Sequence, residues 1–460
     1  MSRVPSSAIG FESRAHERVQ AGPVAGVESS RQPEVFLFAA WHSLFWLVFA
    51  NAVGILVAAL LVLPRIDSLL GDWSYGRWMR VHMNLQLYGW SSLPLVAFLF
   101  KVYGADRGAA AGWCRAMLWV WSCALAVGSW SWITGHSSGK LFLDWTGFSR
   151  VLFPLALAAL WCLLAFALLR DWRLGNTSLV ARITKLAGLA LLLGVPMLLY
   201  VASSPNLYPA INPDTGGPTG ASQLESTLVI IAILLLLPFG LTERKAARSW
   251  QTRVTWSVFA AELLLCIGLG RGDVSHHRPV QYISLGSLLV WLPLAPAYYS
   301  VFDWHPSTRR WRIAFLCWWS VLVPTGWCLF LPGVLDHFKF TDGLVGHSLL
   351  AMAGFVTSLL IFVMVQLLGE AGWIFNGTWS FYVWQSSVVA YVAIMFLAGW
   401  HEGSNPAFTM VPGTERNAIY FLRLVLGVLM LAASADWLID GSRHLRASGN
   451  SLTGAVGGAR

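Results

Sequence analysis

Charge is what this sequence has least of. Only 12% of its 460 residues are Asp, Glu, Lys or Arg, about half the share of an ordinary soluble domain. With 56% apolar residues and a mean hydropathy of +0.61, that excludes a soluble globular chain. Cysteine is scarce too. The six (Cys114, Cys123, Cys162, Cys266, Cys317 and Cys328) fall within or at the ends of apolar runs, without metal-ligand spacing. They read as small buried hydrophobes and carry no information on redox compartment. There is no Gly-rich phosphate loop and no C-x-x-C-H, so neither a P-loop nucleotide site nor a covalently attached c-type heme is encoded. The net charge of +9 does not point to nucleic acid, because the basic residues sit in short connections between apolar runs, where topology places them.

What is abundant is apolar runs of about 18–25 residues, each long enough to cross a hydrocarbon core of about 30 Å. About twelve are legible, from 35–63 and 81–102 through 343–368 and 379–399 to 418–438. The expected fold is therefore an all-α integral membrane bundle. Residues 1–32 are polar with no apolar core and read as a disordered tail rather than a cleavable signal. Residues 33–440 form the membrane domain, and 441–460 read as a second disordered tail. An even number of spans puts both termini on one side. Lys101, Arg107 and Arg115, then Arg170, Arg173 and Arg182, then Arg309, Arg310 and Arg312 all fall in alternate connections. Those connections are expected to be inner and both termini cytoplasmic. The connection 204–223 has no Lys or Arg and reads as an irregular outer lid. The 26 tryptophans suit membrane interfaces and flat cofactors. No internal repeat is legible.

Of eleven histidines, only His42, His82 and His347 fall inside apolar spans. His82 lies in RVHMNLQLYGW (residues 80–90) and His347 in FTDGLVGHSLLAMAGF (residues 340–355). A neutral imidazole among apolar helices is a good ligand for heme iron. For either residue the alternative is a helix-end histidine bonded to a carbonyl or water. Asn84, Gln86 and Tyr88 give His82 a polar-lined face, and small residues around His347 allow close approach by a flat ring. His42 reads as a packing or hydrogen-bonding residue. Glu262 reads as either a proton relay or a structural partner of a neighbouring helix, and Arg423 as snorkelling or paired.

The number of spans, the histidine opening the second span and the GHS near the start of the tenth together resemble subunit I of the heme–copper oxidase superfamily. The nearest branch is the cbb-type cytochrome c oxidases and nitric oxide reductase large subunits. TGHSSGK (residues 134–140) and LAP (residues 294–296) add to the likeness, which covers residues 35–440. The resemblance implies a twelve-helix bundle and one or two hemes, of b type, with His82 on the low-spin iron and His347 on the high-spin iron. It also implies a bacterial inner membrane, a respiratory complex and a cytochrome c-type partner. The sequence departs from the family at three places. Leu349 stands where the family has a second low-spin ligand, and residues two apart on a helix point about 200° apart, so His347 is no substitute. The sixth span, QLESTLVIIAILLLLPFG, has no histidine. The copper candidates His276 and His277 sit beyond Arg271 and Gly272, where the family pair falls when counted back from LAP. The expected function is a heme-binding electron-transfer subunit without an identifiable copper site. The alternative is a cofactor-depleted scaffold or assembly subunit. A solute transporter lacks support, since no repeated broken helices are legible.

Overall fold

The computed structural model describes residues 32–140, 143–174, 178–211, 224–245, 249–269 and 278–457. The chain is an all-α integral membrane bundle. Twelve helices are long and apolar enough to cross a membrane. They are α1 (Glu34–Val62), α2 (Tyr75–Tyr103), α3 (Ala110–Ile133), α4 (Ser149–Arg173), α5 (Leu179–Ala202) and α6 (Leu224–Leu241). There follow α7 (Trp250–Leu269), α8 (Pro279–Tyr299), α9 (Pro306–Leu329), α10 (Asp342–Phe375), α11 (Thr378–Ser404) and α12 (Thr414–Ser448). The face at which the even-numbered spans begin is called outer below, after the charge distribution. The spans agree with the apolar runs because bilayer thickness sets their length directly.

Helix ends are set locally. α2 stops at Gly104, whose φ of 69° is open to glycine at no steric cost. The Gly104 and Ala105 N–H groups then reach the Lys101 and Phe100 carbonyls at 3.2 and 2.9 Å, a Schellman closure. Ser178 caps α5 by accepting from Ala181 N at 3.3 Å, and Thr341 caps α10 by accepting from Gly343 N at 3.1 Å. At the other end of the chain, the helix containing α12 continues to Gly457. The tail expected over 441–460 is thus helical through its described residues: no proline interrupts 441–457, and extending a formed helix costs little. The tail expected over 1–32 lies outside the described residues apart from Gln32, which opens the first helix.

α10 lies at the centre. Of its most apolar stretch 72% is buried, against 11% for α5 and 17% for α7, so those two helices line the periphery. The tryptophans are not confined to the interfaces. Trp90, Trp132, Trp145, Trp291, Trp311, Trp384 and Trp437 are among the largest fully buried side chains. Several buried indole N–H groups tie helices together, as in Trp311 to Phe375 O and Trp319 to Trp291 O, both 3.0 Å. A buried indole favours a polar partner, and a carbonyl of a neighbouring helix supplies it in these cases.

Candidate functional site

His82 lies in the third turn of α2 and His347 in the second turn of α10. Both are therefore near the outer face. The His82 Nδ1 lies 2.8 Å from the Ala50 carbonyl on α1. A carbonyl only accepts, so Nδ1 carries the proton and Nε2 the lone pair. The ring is only part-buried, and its Nε2 is not among the sealed polar atoms of the bundle. One turn beyond Ala50, Gly54 makes room for the imidazole: a methyl there would sit 2.7 Å from Cε1 and 2.9 Å from Nδ1. Asn51, beside Ala50, accepts from Gln86 Nε2 at 2.8 Å and donates to Ser434 Oγ at 3.0 Å. That chain of bonds locks α1, α2 and α12 together just below the ring. Fixing one ring nitrogen so that the other is presented to a metal is how liganding histidines are oriented.

His347 is held differently. It rests against Gly326 of α9, where a methyl would lie 3.4 Å from Cε1. Its Nδ1 is buried with no hydrogen-bond partner, so its tautomer is not fixed by the protein. Leu349 packs into the apolar core and offers no donor atom for iron.

The two histidine helices share a design that the sequence conceals. In each, a seven-residue π-helical segment begins three residues after the histidine: Leu85–Ser91 and Leu350–Val356. Each carries a glycine seven residues after the histidine, followed by an aromatic residue, Gly89–Trp90 and Gly354–Phe355. A methyl on Gly89 would meet Trp46 of α1 at 2.6 Å, and one on Gly354 would meet Trp318 of α9 at 2.6 Å. Trp46 and Gly54 stand at the same spacing as Trp318 and Gly326. An indole from the next span takes a carbonyl of each π segment: Trp121 on Tyr88 O at 2.8 Å, and Trp384 on Ala353 O at 3.0 Å. A hydroxyl at the end of each bonds five residues back, Ser92 to Leu87 O at 2.9 Å and Thr357 to Met352 O at 2.8 Å. The two are joined directly, Trp90 Nε1 donating to Thr357 Oγ1 at 2.9 Å. These local features of α1–α3 thus recur in α9–α11, a likeness of geometry where no sequence repeat is legible. The shared positions are few and the residues between them differ, so no run of similar sequence reveals it. Short π segments of this kind occur often at functional sites.

The other singled-out residues fall outside this site or support it. Lys140 of TGHSSGK is buried and donates to Ala202 O at 2.6 Å and Ser204 O at 3.0 Å, fastening the α3–α4 loop to the end of α5. Burial pulls its ammonium below the ordinary lysine range, with nearby Asp144 opposing. Arg80, two residues before His82, donates to the Lys140 and Gly139 carbonyls of the same loop. His42 bonds Ser122 Oγ at 2.8 Å and has its Nε2 sealed, which is a packing role. Glu262 Oε2 accepts from Ser287 Oγ of α8 at 2.9 Å. Arg423 is paired: it reaches Asp342 Oδ1 at 3.3 Å and donates from Nε to Tyr391 OH at 2.8 Å. His276 and His277 lie outside the described residues. Among the described residues no three His, Cys, Asp or Glu side chains group to hold a metal ion.

The chain matches no protein-family model, and no curated protein is significantly similar to it.

Proposed function

We propose that this chain is a heme-binding membrane subunit of a respiratory electron-transfer complex, distantly related to subunit I of the heme–copper oxidases. One observation carries the reading. The His82 Nδ1–H is held by a backbone carbonyl, and the ring occupies a cradle that only glycine leaves open. His82 and His347 would be the axial ligands, and a heme there would supply reversible one-electron transfer. The chain's own part is to fix the His82 tautomer through Ala50, to hold α2 in register through Gln86, Asn51 and Ser434, and to keep water out with apolar helices. The two irons would not be equivalent, because His82 has a hydrogen-bonded second nitrogen and His347 does not. Lacking a C-x-x-C-H, the chain would exchange electrons with a separate cytochrome c-type protein, from a bacterial inner membrane with both termini cytoplasmic.

A second reading is a cofactor-depleted scaffold or assembly subunit of such a complex. It is favoured by Leu349 in the apolar core and by the unsupported Nδ1 of His347. Pyridine hemochrome and metal analysis of purified protein separate the two. The heme reading expects b-type heme without stoichiometric copper. Heme with stoichiometric copper would show a copper site elsewhere in the chain, and well-folded colourless protein would leave the scaffold reading.

A further inference from the structure

Buried charges near the outer end of the bundle do not balance. Asp342 opens α10, Glu402 lies in the last turn of α11, and Arg423 lies near the start of α12. The Asp342 N–H donates to Glu402 Oε2 at 2.6 Å, and Tyr420 OH donates to Glu402 Oε1 at 3.4 Å. Arg423 pairs with the carboxyl of Asp342, at 3.3 Å, and the two side chains are 7% and 13% exposed; its Nε donates to the Tyr391 hydroxyl. Glu402 is 9% exposed. The second Asp342 oxygen, Oδ2, is sealed from solvent without a hydrogen-bond partner.

Among the described residues, the neighbours add no compensating cation inside this cluster. From α2 comes the Tyr75 phenol, from α11 Tyr391 and from α12 Tyr420, all neutral at ordinary pH. His82 of α2 is also within range of the Arg423 charge. His337 of the short helix Val334–Phe338 packs beside Gly403 and bonds the Trp400 carbonyl at 3.1 Å. Asp336 and Lys339, at that helix, carry opposite charges. Further out, His401 pairs with Glu415 at 2.8 Å. Arg416 stacks over Tyr420 at 4.9 Å and spends its donors on Thr409 O and Asn417 Oδ1.

The cluster therefore holds two carboxyls and one guanidinium, which pairs with Asp342. If both were ionised the cluster would hold a net negative charge largely shielded from water, which costs several kcal/mol. A group in that position takes up a proton instead. We propose that Asp342, Glu402 and Arg423 form a binding site for one exchangeable proton, shared between the two carboxyls and supplied from the outer aqueous phase. The proton converts one carboxylate to a carboxylic acid, and no other bond changes. The site stands whether or not heme is bound.

Infrared difference spectroscopy of the full chain in lipid vesicles, titrated from about pH 5 to about pH 9, tests it. The expected result is a protonated-carboxyl C=O band at neutral pH that is lost in Glu402→Gln and in Asp342→Asn alike. Glutamine keeps the shape of Glu402: its carbonyl oxygen can accept the Asp342 N–H, and its NH2 can donate to the Tyr420 oxygen instead of accepting from it, so that variant is the one expected to fold unaltered. Arg423→Gln should strengthen the band and carry it to higher pH, since the remaining cation is gone. A band that survives both carboxyl substitutions, or wild-type protein with no such band, overturns the proposal.

Discussion

Gly54→Ala is the most direct probe of how His82 is held. The added methyl would lie 2.7 Å from Cε1 and 2.9 Å from Nδ1, whereas non-bonded carbons rest about 3.5–4.0 Å apart. The ring must withdraw by about 0.8 Å or more. The Nδ1–Ala50 O bond of 2.8 Å then stretches past the limit of about 3.2 Å for a normal hydrogen bond. Overpacking costs about 1–3 kcal/mol and the lost bond about 1 kcal/mol, while alanine regains about 1 kcal/mol of helix propensity. The net expectation is a destabilisation of about 2 kcal/mol. Gly427→Ala is the control. It lies in α12, and its nearest neighbour is Ile55 Cγ1 at 3.7 Å, an ordinary contact, so that variant should gain about 0.4–1 kcal/mol. Unfolding of both variants in one detergent, with heme content measured alongside, decides the matter. Equal stability and equal heme content in the two would refute the cradle.

The link between the two π segments predicts a coupling of about 1 kcal/mol between Trp90→Phe and Thr357→Val in a double-mutant cycle; additive effects would show that the bond does not join them. Trp384→Phe should destabilise by about 1–3 kcal/mol, since it leaves the buried Ala353 carbonyl without its indole, and a neutral result in thermal unfolding would contradict this. Asp106, 1% exposed with both carboxyl oxygens unpartnered, is held by burial above the usual carboxylate range, with Lys101, Arg107 and Arg170 opposing. The folded state then keeps this proton to higher pH than the unfolded state, so stability falls as pH rises through that window. Asp106→Asn should therefore melt higher than the parent at neutral and alkaline pH, with the advantage shrinking as pH falls toward about 4; a lower melting temperature at neutral pH would reverse the argument.

The sequence showed spans better than it showed what they hold. α6 falls at the residues its apolar run marks, because nothing polar interrupts it from Leu228 to Leu237. α2 starts at Tyr75 rather than 81 because Arg77 and Arg80 break the apolar pattern. In the folded chain those guanidiniums reach the Ile133 and Gly139 carbonyls and lie along the helix rather than ending it. His82 and His347 stand out as ionisable residues in apolar surroundings. Their supports do not. Gly54, Trp46 and the π segments leave no periodic signal, since a cradle or an extra residue in a turn depends on what lies opposite. The Asp342–Glu402–Arg423 cluster joins three helices by residues distant in sequence, and only Arg423, a charge inside an apolar span, gives any sign of it in the sequence.

The proposed heme site turns on His82 as an iron ligand. The direct measurement is the reduced-minus-oxidised optical spectrum of purified wild type, His82→Ala and His347→Ala, each normalised to folded protein. The expected result is a heme Soret component that disappears with His82, and a distinct loss or shift with His347. Heme spectra identical in all three proteins, or no heme in any of them, would contradict it.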